Sequence, residues 1–270
     1  MPTVPSRGDD HASDSHRFRK IAEGFGADAE RYDRARPRYP AALAKAVLAD
    51  LPGTAVLDVG VGTGISSLHF VDAGAVVLGV DPDERMAAVA RARGLNVEIA
   101  SFEQWEPRER RFDGVISGQT WHWVDPVAGA RKAAAVLNPG GSITVFWNAG
   151  DPPESLAARF AEVYRTVDTG LPFTPSKGSQ RDGYAAMLDR AAEGLAEAGG
   201  FAKPRRLRFD WETVVSRDVF LDQVQTSGGH NRIAPEKLAE LLAGLGAAID
   251  AVGGEFTMRY ATVGLVCALA

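Results

Sequence analysis

Between Thr54 and Asn148 short apolar runs alternate with helical stretches, and few architectures accommodate that order. The runs are AVLDV, AVVLGV, LNVEIA, FDGVISG and SITVFWN. The first, AVLDV, does not alternate apolar with polar residues as a half-exposed strand would. Unalternating runs this short belong to strands covered on both faces. Helices are expected from Gly64 to Asp72, from near Pro82, and from Asp125 to Leu137, the last opened by DP and closed by NPGG. Strand and helix in turn predict an α/β fold with a doubly wound, mostly parallel sheet and right-handed crossovers. Ligands of such sheets bind beyond the carboxyl ends of the strands.

The flanks extend this core. Helices are expected over about 18–34 and, after the break RPRYP, from Pro40 to Leu51. Residues 1–17 are polar and charged, without the apolar centre of a signal peptide, and read as a disordered tail. Beyond Asn148 come a helical stretch (DPPESLAARFAEVYRTVDTG), a loop (LPFTPSKGSQ) and a helix from Arg181 to Ala198. RRLRFDWETVV alternates as a strand. Helices over Arg217–Thr226 and Pro235–Val252 follow, and EFTMRYATVGLVCALA closes as a long strand. The expected division is a tail (1–17), N-terminal helices with the sheet core (18–150), and a last segment (151–270). That segment combines a helical cap with two strands that add an antiparallel edge to a seven-stranded sheet.

Composition excludes several classes of function. With 45% hydrophobic and 24% charged residues among 270, a core forms without staples. The net charge of −5 lacks the footprint of a nucleic-acid binder. The dense basic run, KPRRLR at 203–208, lies on an alternating strand and puts its charge on one solvent face. Cys267 is the only cysteine, so there is no intramolecular disulfide and no CxxC zinc site. No apolar run reaches the ~18 residues of a membrane span. A soluble cytoplasmic protein is expected, monomer or homodimer, with no metal.

The loop DVGVGTG places Gly60, Gly62 and Gly64 after the first strand. The dinucleotide fingerprint puts its third glycine one place later, and no lysine follows to make a phosphate cradle. Asp58 precedes the loop, where a carboxylate repels pyrophosphate and welcomes an ammonium group. Asp81 ends the second strand, at the distance where an acid accepts hydrogen bonds from a ribose diol. The ligand profile is a ribose plus a cation, without phosphate.

VLDVGVGTG together with GVDPDERM resembles the class I S-adenosylmethionine-dependent methyltransferases. SFEQWEP, FDGVISGQTWHWVDP and LNPGGSITVFWN fall at the matching later places. FGADAERYDRARPRYP and WHWVD are similar to the small-molecule, trans-aconitate-like branch. The resemblance implies S-adenosylmethionine as cofactor, S-adenosylhomocysteine as product, and in-line methyl transfer to an O, N or C atom of a small metabolite. It implies that Tyr32 covers the sulfonium or the substrate and that Arg36 pairs with the methionine carboxylate. Asp58 and the Gly60, Gly62 and Gly64 backbone would hold the amino-acid part. Asp81 would bind the ribose, with Pro82 against adenine. Ser101, Phe102 and Glu103 would reach the adenine edge, Phe102 stacking and Glu103 accepting from the exocyclic amine. Gln119 would touch the cofactor from the fourth strand tip. His122 at that tip is the candidate general base, or else packs with Trp121 and Trp123. Trp147, Asn148 and the loop residue His230 are weaker candidates. An RNA or tRNA methyltransferase, a non-catalytic cofactor-binding protein and a nicotinamide-dependent oxidoreductase are the rival readings.

Overall fold

The computed structural model describes residues 26, 28–171 and 183–270. The expected tail, most of the first helix and the loop LPFTPSKGSQ, apart from Leu171, lie outside the described residues. The strands are β1 (Ala55–Val59), β2 (Val76–Asp81), β3 (Asn96–Ile99), β4 (Phe112–Gly118), β5 (Leu137–Asp151), β6 (Arg205–Ser216) and β7 (Glu255–Ala268). They form one seven-stranded sheet in the order β3-β2-β1-β4-β5-β7-β6. The helices are α1 (Ala29–Ala35), α2 (Ala41–Ala49), α3 (Ile65–Asp72), α4 (Glu84–Ala92), α5 (Pro126–Val136), α6 (Glu154–Thr166), α7 (Gly183–Ala198), α8 (Arg217–Gln225) and α9 (Pro235–Asp250).

The absence of alternation in β1 has its cause in the pairing. β1 lies parallel between β2 and β4, with Leu57 opposite both Leu78 and Val115. Val56 and Leu57 are wholly buried. β2 continues to β3, and β4 to β5, also in parallel. Beside the β6–β7 pair, Phe201 bridges Leu269 in antiparallel sense. The helices begin where acids can cap them. Asp83 accepts from the Arg85 N–H ahead of α4, and Asp125 from the N–H groups of Val127 and Ala128 ahead of α5, with Pro126 at the first helical position.

One boundary differs from expectation. NPGG was expected to separate helix from strand, yet β5 starts at Leu137 and takes the glycines in. Phe112 faces Leu137 and Gly114 faces Ser142, so the register slips between them and NPGG is absorbed there. Gly140 adopts the left-handed conformation that this irregularity requires, and the Asn138 amide donates to Asp113.

The chain divides into two compact units, each built from separate segments. One comprises Pro37–Asn148, Ala186–Phe209 and Thr262–Ala270. Its core includes Leu43, Val47, Val56, Phe70, Ile116 and Phe146, with Tyr39 edge-on to Phe146 at 4.9 Å between ring centres. The other comprises the described residues of Met1–Arg36, Ala149–Ala185 and Asp210–Ala261. There α6, α8 and α9 pack together, and Phe160 stacks on Phe220 at 4.7 Å. The segment 151–270 is therefore not one body: α6, α8 and α9 group with α1, while most of α7 groups with the sheet core.

Leu57 is fully enclosed in β1. Leu57→Ala is expected to cost about 2–5 kcal/mol of unfolding free energy in urea, from lost burial and the cavity left behind. A cost below 1 kcal/mol would mean that this strand is not a packed interior element.

Candidate functional site

The loop after β1 and the tip of β2 converge on two buried carboxyls. Asp58 is wholly buried at the end of β1. Its Oδ2 accepts hydrogen bonds from the hydroxyls of Ser66 and Ser67, each at 2.7 Å, on the first turn of α3. Its Oδ1 is buried with no partner among the described residues. Burial raises the Asp58 pKa to about 6, the two serine hydroxyls oppose that rise, and Asp81 adds to it. Asp81 accepts from the Gly62 N–H at Oδ2 and from the Asp83 N–H at Oδ1, both at 2.8 Å. Burial lifts it also to about 6, against those two bonds. A carboxylate offers about four acceptor directions, so two bonds leave Asp81 further acceptor capacity.

The loop glycines are there for shape. Gly60 has φ +71°, and a Cβ on it would lie 2.0 Å from Thr120 Cγ2. Gly64 has φ +87°, and a Cβ there would lie 2.4 Å from Leu95 Cδ1. Their amides are already committed. The Gly60 N–H goes to Val80 O, that of Gly62 to Asp81, and that of Gly64 to Val61 O. The loop thus offers close approach to its backbone rather than free donors.

The tip of β3 carries Phe102, Glu103 and Ser101. Phe102 is buried at 4% exposure, with Trp105, Trp121 and the Lys132 ammonium around its ring. Glu103 accepts from the Asp125 N–H at 3.0 Å and so helps fix the start of α5. Ser101 is half-buried, and its carbonyl accepts from the N–H groups of Gln104 and Trp105. Pro82 stands exposed after Asp81.

At the tip of β4, Gln119 is held at φ +59°, a conformation uncommon outside glycine. Its N–H donates to Phe146 O and its side-chain amide to Asn148 O. Trp121–Trp123 form a short 3-10 turn. The Trp147 indole N–H donates to His122 Nδ1 at 3.2 Å. The neutral ring therefore carries its proton on Nε2, and burial lowers its pKa to about 3. In this arrangement the ring is oriented by Trp147, which engages the Nδ1 lone pair that a base at that nitrogen would use. Asn148 ties neighbouring segments together, its amide donating to Arg38 O and its Oδ1 accepting from Thr262.

Comparison with known proteins places a family match over the residues that carry the glycine loop. Residues 56–141 match the family described as a methyltransferase domain. An uncharacterized methyltransferase of Mycobacterium tuberculosis is 37% identical over 138 residues, 49% of this chain and 55% of that protein. A ubiquinone biosynthesis O-methyltransferase of a Bradyrhizobium strain is 35% identical over 102 residues, 35% of this chain and 40% of that protein. The chain thus spans about half or less of the length of these curated relatives. A solved structure from Anaeromyxobacter dehalogenans, described as a type II methyltransferase, superposes with a TM-score of 0.58. It covers 86% of this chain and 97% of that one at 22% identity, a likeness of fold.

Residues 56–141 carry a methyltransferase domain.

In that domain the glycine loop, Asp58, Asp81, Pro82, Ser101, Gln119 and His122 all lie in the unit of Pro37–Asn148. Tyr32 and Arg36 belong to the other unit, where the Arg36 guanidinium lies 4.7 Å from the Tyr32 ring centre and donates to Thr226 O. Their assignment to the cofactor rests on resemblance. His230 is also there, buried, with Nε2 against the Tyr164 hydroxyl at 2.7 Å and Nδ1 against Ser227 O. Burial lowers it to about 4, and it reads as a satisfied interior side chain. Among the described residues no group of three or more His, Cys, Asp or Glu could hold a metal ion. No described helix is long and apolar enough to cross a membrane. Sequence reasoning missed Ser66, Ser67 and the linking role of Asn148. The signal for the serines was present, as paired hydroxyls opening the helix after the loop.

Two substitutions test this geometry. A carboxyl raised from 3.8 to about 6 in the folded chain contributes stability at low pH that is lost as pH rises through 6. Above that point the fold carries a buried charge costing about 3 kcal/mol, at ~1.4 kcal/mol per pKa unit. Asp58→Asn keeps an acceptor for both serines. Urea denaturation is expected to show it more stable than wild type at about pH 8, by up to about 3 kcal/mol, and equal to it at about pH 4. Equal stability at both pH values would mean that the carboxylate is not desolvated. At His122, Asn retains an acceptor for the Trp147 indole and Phe does not. His122→Phe is expected to lose about 1–3 kcal/mol and His122→Asn less. Identical losses would remove the Trp147 bond as a structural factor.

Proposed function

We propose that this chain is an S-adenosylmethionine-dependent methyltransferase that acts on an O, N or C atom of a small-molecule metabolite. The observation that carries the reading is the buried Oδ1 of Asp58. A wholly buried carboxylate oxygen with no protein partner favours a cation, and the cofactor's ammonium is one. Asp81 has acceptor capacity for a ribose diol, and Pro82 presents exposed apolar surface for a purine. The residues present therefore fit this cofactor. Bound, it supplies an electrophilic methyl group on a sulfonium centre.

The protein's part is alignment. In-line displacement is governed by how well nucleophile and methyl are held, and positioning alone supplies several kcal/mol. Gln119 is fixed by two hydrogen bonds at a strained backbone position, and His122 presents a neutral ring oriented by Trp147. A small-molecule acceptor is favoured by the net charge of −5 and by a curated relative that is a ubiquinone biosynthesis O-methyltransferase. The basic run at 203–208 is partly neutralised by Arg205–Asp50 and Arg206–Asp189 pairs, which weakens the RNA reading.

Calorimetric titration with S-adenosylmethionine tests the site. Affinity is expected to fall as pH drops below about 6, because a protonated Asp58 no longer attracts the ammonium. Asp81→Ala is expected to weaken binding by about 10–100-fold, the worth of one or two charge-assisted hydrogen bonds. Affinity unchanged in both experiments would sink the assignment. Cofactor with a labelled methyl, incubated with source-cell extract, tests the acceptor class. Label is expected in the small-molecule fraction and absent with Asp81→Ala. Label in nuclease-sensitive material would move the reading to a nucleic-acid methyltransferase.

A further inference from the structure

Among the described residues β6 is the last strand of the sheet, and its outward-facing side chains carry an ordered charge pattern. Leu207 and Val215 face inward and are buried. Arg206, Arg208, Asp210, Glu212 and Val214 alternate with them and are exposed. Along the outer face the charges run plus, plus, minus, minus. An edge strand offers unpaired backbone groups to any matching strand, and charged side chains ordinarily blunt it by repelling a second copy. This order does the opposite for a copy running antiparallel.

We propose that β6 is a homodimer interface, pairing antiparallel with β6 of a second copy about a two-fold axis at Phe209. That register sets Arg206 opposite Glu212 and Arg208 opposite Asp210, each twice by symmetry. Directly opposed side chains on one face of an antiparallel pair lie close enough for opposite charges to attract. The same pattern rejects the alternatives. A slip of the axis to residue 208 opposes Arg208 to itself, a slip to 210 opposes Asp210 to itself, and parallel pairing opposes every charge to its like. A slip by a half-step pairs the outer face of one strand with the inner face of the other. Arg208 and Asp210 also make interactions inside the chain, and Arg206 pairs with Asp189. Both are exposed, and exposed pairs exchange partners at little cost. A two-fold contact of this kind uses one surface patch on both copies and closes on itself, so it yields a dimer and not a fibre.

Two variants of the full chain make the test. Arg206→Glu with Arg208→Glu turns the face wholly negative, and Asp210→Lys with Glu212→Lys turns it wholly positive. Sedimentation over a concentration series at low salt is expected to show wild type moving from one-chain to two-chain mass. Each variant alone is expected to stay at one-chain mass, with wild-type circular dichroism and cofactor affinity. Mixed in equal amounts, the two are expected to form a one-to-one dimer, because all four opposed pairs are then of opposite sign. Wild type at one-chain mass throughout overturns the proposal. So does a dimer that survives either variant, or a mixture of folded variants that fails to associate. If one variant does not fold, single reversals at Arg208 and Asp210 replace the pair and carry the same mixing test. The cofactor titration is independent of these outcomes, so failure here leaves the enzymatic reading standing.

Discussion

Burial of the Asp58 carboxyl at the end of β1 is the constraint around which the methyltransferase domain is arranged. β1 is an interior strand with hydrogen-bonded neighbours on both sides, so water is excluded from it. A carboxyl in that place is intrinsically costly. The chain answers one oxygen with two serine hydroxyls and leaves the other without a partner among the described residues. To bring α3 close enough for those hydroxyls, the connection must turn tightly, which is what left-handed Gly60 and Gly64 permit. The turn in turn places the Gly62 amide on Asp81, coupling the tips of β1 and β2. Two acids repel across this small space, and a bound cation would relieve both.

Much of this was legible before the structure. The parallel strands announced themselves because interior strands need no alternation, and AVLDV and FDGVISG match β1 and β4 residue for residue. Asp58, the glycines and Asp81 were legible because their spacing is set by one turn and one crossover. What the sequence left unreadable depended on direction rather than spacing. Phe102 sits at the expected strand tip, yet its ring turns into Trp105 and Trp121. His122 was visible as a histidine, but its proton is set by Trp147, a residue on another strand. NPGG looked like punctuation because glycine and proline usually end elements. Here the neighbouring strand accommodates them by a slip in register.

The division into units was the least legible property. Segment boundaries read from composition are continuous in sequence, whereas packing joins α1 to α8 across nearly the whole chain. Arg31 shows how: it lies against Asp222 and donates to Gln225 on α8. No local pattern reveals such a partnership, because each helix is amphipathic on its own account.

The order β5-β7-β6 has a consequence for biosynthesis. β7 lies between two strands that both precede it in the chain. Until Glu255–Ala268 emerges from the ribosome, β5 has one side of its backbone unpaired, although its residues from Gly141 to Gly150 are all buried in the finished fold. More than a hundred residues are translated between the end of β5 and the start of β7, a wait of roughly 5–20 s at ~5–20 residues per second. During that interval the nascent chain exposes the apolar stretch SITVFWN along an open sheet edge. The strand order thus concentrates misfolding risk during synthesis on that stretch.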